Sequence, residues 1–452
     1  MGLRGASQGV SRALGIESPA HQVPGTIRHA VPDVDHTVFD THQHTSHFSV
    51  EFLTTGYATL SFSGETPMNK RSTLVAASLG LFLLGSLLPT IAFAHGDLDA
   101  VIDVQIYNRA IHIMAMLLIG FGFLMVFVRG YGLSALTATY MMVAVAIPGY
   151  FLLKTSGWFG HNPAGVEGLV LTEFAAASLL ICAGAVLGRL RMWQYMVMAL
   201  LFLPAYMLNE WILLDGGWGL VAAGAFVDTG GSIVIHAFGA LFGLGVAISM
   251  STRGDRELPV TSDATSDRFS LLGSMVLWVF WPSFCGALVA PELIPATVMN
   301  VVFALCGSTL LTYFATILLR RGIDAADIAN ATLAGGVAIG STCDQVSLPV
   351  AFGIGAVAGF ASTFGFAVIQ DKLQKGLRLV DTCGVSNLHG IPGLLGGLAA
   401  LVFVGGIDRG AQGLGIVVTA VVAVVTGLVA GRILALTGHR KQAYEDAEEF
   451  PG

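Results

Sequence analysis

Two histidines, His236 and His389, close a phrase that occurs twice in this chain. Residues 228–236 read Asp-Thr-Gly-Gly-Ser-Ile-Val-Ile-His, and residues 381–389 read Asp-Thr-Cys-Gly-Val-Ser-Asn-Leu-His. Both follow D-T-x-G-x-x-x-x-H, and both run on into glycine-rich apolar sequence. With a helical rise of 1.5 Å per residue, each histidine lies roughly 12 Å beyond its aspartate. In an apolar helix that depth is near the middle of a bilayer, where an ionisable side chain is rare and points to function. A neutral imidazole has one donor and one acceptor nitrogen, so two facing imidazoles share a proton and still offer hydrogen-bonding groups to a small polar solute. The plainer role, a buried histidine bonded to backbone, suits one such residue better than two at matched positions. A zinc site fits less well, because neither segment adds a histidine or carboxylate three or four residues away. No metal or other cofactor is therefore expected.

The aspartates that open the two phrases, Asp228 and Asp381, stand where a carboxylate accepts the first free N–H groups of a helix and complements its dipole. Capping is the main role expected of both. At Asp228 the residues Gly230, Gly231 and Ser232 are expected to cradle the carboxylate, whose charge would bias a nearby pathway toward cations.

Helices must carry these residues, and the composition says in what medium. Of the 452 residues 54% are hydrophobic and 11% charged, against about 25% charged in a soluble domain. The mean hydropathy is +0.74. A polytopic membrane protein follows, and a net charge of −7 with no basic stripe argues against nucleic-acid binding. Five cysteines form neither a disulfide framework nor a metal spacing.

Residues 1–67 are polar, His- and Thr-rich and without helical periodicity, and read as disordered or upstream of the true start. His36, His42, His44 and His47 within them are a weak candidate for a metal tract. Residues 68–94 have the form of a signal peptide, with Lys70 and Arg71, an apolar run from Leu74 to Ile91, and Ala92-Phe93-Ala94 before His95. Residues 95–438 form the expected transmembrane domain and 439–452 a cytoplasmic tail.

About eleven apolar runs are long enough to span a bilayer: 105–128, 132–154, 166–188, 193–214, 228–251, 268–290, 293–319, 326–342, 348–370, 387–405 and 412–438. Alternate connections carry Arg129, Arg189, Arg253, Arg320 and Lys372, while the opposite side has little besides Lys154 and Arg409. The positive-inside rule puts the mature N-terminus outside and the C-terminus in the cytoplasm, the protein being an inner-membrane one. The repeated phrases fall on the fifth and tenth runs, so an odd number of crossings separates the copies. The fold class is thus all-α, a five-plus-five inverted repeat with one extra helix, the two histidines meeting near the midplane.

Gly120-Phe-Gly-Phe-Leu-Met-Val-Phe-Val-Arg-Gly-Tyr-Gly132, Asn209-Glu210, both repeated phrases, Phe280-Trp-Pro-Ser-Phe284 and Asn330-Ala-Thr-Leu-Ala-Gly-Gly-Val337 occur in order between about residues 105 and 405. Together they resemble the Rh (Rhesus) branch of the ammonium transporter superfamily, of a bacterial type. The resemblance implies a homotrimer with one ammonia-conducting pore per subunit. It implies that His236 and His389 are twin pore histidines, that Phe174 and Phe284 form a stacked gate on the outer side, and that Asp228 is a buried aspartate below the outer vestibule. By the same resemblance Glu210 is an acid of the outer vestibule, and Asp267 and Asp324 are acids of the cytoplasmic one. Gln374 replaces a further cytoplasmic acid, and Gly216 stands where the ammonium-scavenging branch has a tryptophan. These departures favour a lower-affinity conductor.

The expected function is passage of neutral ammonia after ammonium has been drawn to the acids and has lost its proton, since carrying the ion through an apolar lumen costs several kcal/mol. The rivals within the class are a carbon dioxide channel and electrogenic ammonium transport. An intramembrane enzyme using the histidines is the rival outside it, but no nucleophile motif or metal set accompanies them, and no catalytic residue is expected.

Overall fold

A computed structural model describes residues 97–160 and 165–451. The segments expected to be disordered (1–67) and a signal peptide (68–94) lie outside the described residues. Among the described residues ten helices are long and apolar enough to cross a membrane: α1 (Ala100–Phe127), α2 (Gly132–Thr155), α3 (Val166–Val186), α4 (Met192–Leu214), α5 (Ser232–Met250), α6 (Ala264–Cys285), α7 (Ile294–Arg320), α9 (Leu348–Leu377), α10 (Ser386–Phe403) and α11 (Arg409–Leu436). The eighth expected run, α8, is broken into Ala325–Ala331 and Ala334–Ile339, with a tighter turn over Gly340–Thr342. It fails the test of continuous length, and together with the ten it accounts for the eleven runs of the sequence. Every regular element among the described residues is helical.

Local signals set the ends of these helices. Asp263 accepts from Thr265 and Ser266 N–H before α6, and Asp408 accepts from Ala411 N–H before α11. Asp324 accepts from Asp327 N–H at the start of α8. Pro295 and Pro349 sit in the first turns of their helices, where a missing N–H costs nothing.

Packing repeats with the sequence. α2 packs on α3 and α4 as α7 packs on α8 and α9, and α3 packs on α5 as α8 packs on α10. α11 covers α4 and α5, a contact without a counterpart in the second copy. Small residues let these helices close up: a Cβ added to Gly336 of α8 would lie 2.6 Å from the Trp281 ring. The outward face of α11 presents Val417, Val421, Val425 and Val429, each more than half exposed, at a spacing of four. Such a stripe suits a lipid or protein surround, not water.

Residues 439–451 dock onto the domain. Asp446 accepts from Leu133 and Ser134 N–H at the start of α2, Glu449 accepts from Met192 N–H at the start of α4, and buried Arg440 pairs with Glu448 at 2.8 Å. Arg189, counted above as a loop charge, is buried at 2% exposure and donates to Ser251 Oγ and to Val380 carbonyl, joining three connections on that face.

Candidate functional site

The site is built from two matched turns. Before α5, Gly231 adopts φ 74°, which lets the chain fold back so that Asp228 accepts from Ile233 N–H at 3.0 Å and Val234 N–H at 2.8 Å. Before α10, Gly384 at φ 66° serves the same purpose, and Asp381 accepts from Val385 and Ser386 N–H, both at 2.9 Å. Each helix then opens with a π-helical stretch, Ser232–Ala237 and Ser386–Gly390, and each stretch contains the histidine. π turns concentrate at functional sites because they widen the helix and re-aim side chains. Of the residues the sequence suggested, Ser232 gives its N–H to Asp228, joined by Ile233 and Val234 N–H, and the Ser341 hydroxyl from the α8 turn adds a bond at 2.5 Å. Gly230 instead donates its N–H to the Gly340 carbonyl, at 2.7 Å.

α5 and α10 meet at the histidines. His236 Nδ1 and His389 Nδ1 are 3.2 Å apart, with ring centroids at 5.3 Å and planes within 5° of parallel. Only one of two facing Nδ1 atoms holds the shared proton, so the ring that donates it has a free Nε2 acceptor and the ring that accepts it carries its single proton on Nε2. His236 Nε2 is buried and has no hydrogen-bond partner in the protein. The pair therefore offers both a donor and an acceptor edge.

Aromatic rings continue the column on both sides. Phe174 of α3 and Phe284 of α6 touch at 4.7 Å between centroids, tilted by 53° where the sequence reading expected stacking. Phe284 lies 6.0 Å from the His236 ring, and Phe121 of α1 lies 6.2 Å from His389. Trp281 stacks on His236 at 5.5 Å. Beyond His389 a narrow cavity of about 20 Å³ runs between Phe121, Leu124, Ile181 and Leu388. It shares Phe127, Asn330 and Cys383 with a wider cavity of about 520 Å³ that opens at the end where Asp324 and Asp381 lie.

The remaining acids are placed as follows. Glu210, expected to face an outer vestibule, is 5% exposed; it accepts from the Tyr150 hydroxyl at 2.6 Å and pairs with Lys154 at 3.5 Å. An ion-paired buried carboxylate presents little charge to solution. Asp215, which shares Lys154 at 3.6 Å, has the more exposed side chain of the two. Asp324 lines the 520 Å³ cavity while capping α8. Asp267 is half-buried in the first turn of α6 and is not among the residues of that wall. Gln374 does line it, and its Oε1 accepts from Asp381 N–H at 2.9 Å. Sequence reasoning missed Phe121, Trp281 and Ser341. Trp281 stands one helical turn before Phe284 and was within reach of a spacing argument; Ser341 was not, because nothing local ties it to Asp228. Among the described residues no group of three His, Cys, Asp or Glu side chains is arranged to hold a metal.

Duplicated helices, a broken α8 and a column of rings meeting at mid-helix define a polytopic membrane protein with an aromatic-lined path through one subunit. Known proteins resolve the class further. The Ammonium Transporter Family profile matches residues 101–450. Ammonium transporter Rh type B of Oryctolagus cuniculus is 36% identical over 340 residues, covering 72% of this chain and 72% of that protein. The solved structure of Nitrosomonas europaea Rh50, described as one of the Rhesus protein family of channels, is 53% identical with a TM-score of 0.76, covering 78% of this chain and 93% of that one. A sensor Amt protein shares the fold at 19% identity and a TM-score of 0.66, covering 75% and 94%. The chain belongs to the ammonium transporter family, in its Rh branch. The family is one of transporters and channels, and the match extends through the docked tail.

Proposed function

We propose that this chain conducts ammonia as the neutral molecule along the ring column, and that the observation carrying this reading is the His236–His389 pair at 3.2 Å within an otherwise apolar path. Ammonia donates and accepts hydrogen bonds, and the pair offers one acceptor and one donor edge, so the solute is handed on without leaving a partner unmet. Ammonium would bring its charge past the side chains of Phe174, Phe284, Phe121 and Leu124, which cannot replace lost hydration, a cost of several kcal/mol. Asp228, held by the Ser232, Ile233 and Val234 N–H groups and the Ser341 hydroxyl, draws ammonium toward the end of the path at which Phe174 and Phe284 form the gate, and the proton is left on that side. Glu210 supports this end of the path through Lys154 rather than by binding the ion itself. Asp324 and Asp267 act at the other end, where ammonia is released and regains a proton. The functional unit is a homotrimer in the inner membrane, with the mature N-terminus outside and the tail in the cytoplasm.

Purified protein in liposomes, with internal pH and membrane current recorded together, tests the proposal. Rapid internal alkalinisation on adding an ammonium salt, without current, is expected. Current of one charge per ammonium would replace this reading with electrogenic transport, and acceleration of carbon dioxide entry alone would replace the solute.

A further inference from the structure

The two copies of the repeated phrase dock on the other repeat in the same way, and one position breaks the match. In the first copy Gly230 N–H donates to the Gly340 carbonyl at 2.7 Å; in the second Cys383, at the matching place, donates to the Gly184 carbonyl of α3 at 3.1 Å. Gly340 and Gly184 are thereby equivalent, and so are the residues four places on, Asp344 and Gly188. The Thr229 hydroxyl donates to Asp344 Oδ1 at 2.9 Å, whereas the Thr382 hydroxyl donates to the Leu187 carbonyl at 3.0 Å. Gly188 is buried, accepts from Tyr444 N–H at 3.1 Å, and would drive any Cβ into the Tyr444 ring. A turn of this kind is thus built with no carboxylate at that position, so its closure does not explain Asp344.

Asp344 is half-buried beside exposed Thr229, at the gate end of the path. Gly230 sets this turn against α6, since a Cβ there would lie 2.8 Å from the sulfur of Cys285, the residue after Phe284. The loop that carries Asp344 is fixed: buried Asn300 of α7 donates to the Cys343 carbonyl at 2.9 Å and to the Val346 carbonyl at 2.8 Å. Neighbouring carboxylates are engaged, Asp228 by N–H and hydroxyl donors and Glu210 and Asp215 by Lys154. Among the described residues no ion pair includes Asp344. A carboxylate has about four acceptor sites, and one hydroxyl leaves most of them open. We propose that Asp344, with the Thr229 hydroxyl, binds ammonium at the gate end before the proton is lost. The assignment rests on the conduction reading above and gives its recruitment step a residue. Ammonium donates one N–H to the carboxylate and another to the hydroxyl oxygen, and the half-open position lets it keep water on its remaining sides. The ion is gathered there without the desolvation that bars it from the ring column.

The test uses the full chain in liposomes and the initial rate of alkalinisation over a range of ammonium chloride concentrations. Current is recorded in parallel, and sodium chloride is held at about 0.01 M or about 1 M, where the Debye length is about 30 or about 3 Å. Asp344→Asn keeps an oxygen to accept from Thr229 and removes the charge. Expected at low salt is a rise of roughly threefold in the half-saturating ammonium concentration, the size of a partly exposed ion pair, with the limiting rate kept. The difference from the wild type should vanish at high salt, and Asp344→Glu, which keeps the charge, should retain the wild-type salt dependence. An unchanged half-saturating concentration in Asp344→Asn would overturn the site. So would a loss of limiting rate that is the same at both salts, the mark of a structural role. Absence of current in the wild type tests the conduction reading, and the ratio of variant to wild type tests the site, so the two failures are distinguishable.

Discussion

Removing one histidine of the pair strands the other, and the size of the effect follows from the geometry. In His389→Ala, His236 keeps its ring but loses its Nδ1 partner at 3.2 Å, and its Nε2 already lacks a protein partner, so both ring nitrogens are left unpaired in a buried site. An unsatisfied buried polar group costs about 1–3 kcal/mol. At 1.36 kcal/mol per tenfold, that is about a 5- to 150-fold shift in the folding equilibrium. His236→Ala should cost a similar amount, because the bond is shared. The double variant removes both polar partners and should be less destabilised than the sum of the single ones, with a coupling of about 0.5–3 kcal/mol expected of residues in contact. Unfolding of the purified chain in mixed micelles by titrated denaturant supplies all four corners of the cycle, and alkalinisation of liposomes supplies the flux. A coupling within about 0.3–0.5 kcal/mol of zero is the additivity expected of independent sites. Found together with unchanged ammonia flux, it would refute a shared proton and the central role of the pair.

Other perturbations act on single contacts. Phe284→Ala and Phe174→Ala each open the 4.7 Å ring contact and should raise the passage of methylamine relative to ammonia in solute-swelling or alkalinisation assays; equal ratios in wild type and both variants would remove the gate. Lys154→Met strands the buried Glu210 carboxylate and should cost about 3–5 kcal/mol, while adding Glu210→Gln should recover part of the loss; unfolding that shows no recovery would refute the pairing. Ser341→Ala takes one donor from Asp228, for which about 1.5–3 kcal/mol is expected of a bond to a charged group, and should slow flux without introducing current. A reporter fused after Gly438 should be cytoplasmic and one inserted near Gly160 external, and the reverse at either site would sink the assigned orientation.

Some of this architecture is local and therefore readable in the sequence. Apolar runs of bilayer length mark the helices without reference to anything distant, and all eleven recur as helical segments, α8 in pieces. The two aspartates are legible for the same reason, since a carboxylate ahead of a helix finds its donors a few residues along the chain, as Asp228 and Asp381 do. The repeat further implied that the fifth and tenth helices are equivalent and opposed. How closely their histidines approach was settled by the crossing of α5 and α10, and by π turns that hydropathy does not register.

Contacts between distant segments were set by the tertiary structure alone. Ser341 reaches Asp228 from the tighter turn that ends α8, and Phe121, the last residue of a π turn in α1, lies 6.2 Å from His389. Glu210 looked like a vestibule acid because its type and motif were visible, while Lys154, which neutralises it, comes from another helix. The docked tail is a further case: Asp446 and Glu449 look like exposed polar residues until the starts of α2 and α4 supply the N–H groups they satisfy. Hydropathy and spacing describe what each segment needs; which partner meets the need depends on packing between residues far apart in the chain, and no local pattern encodes it.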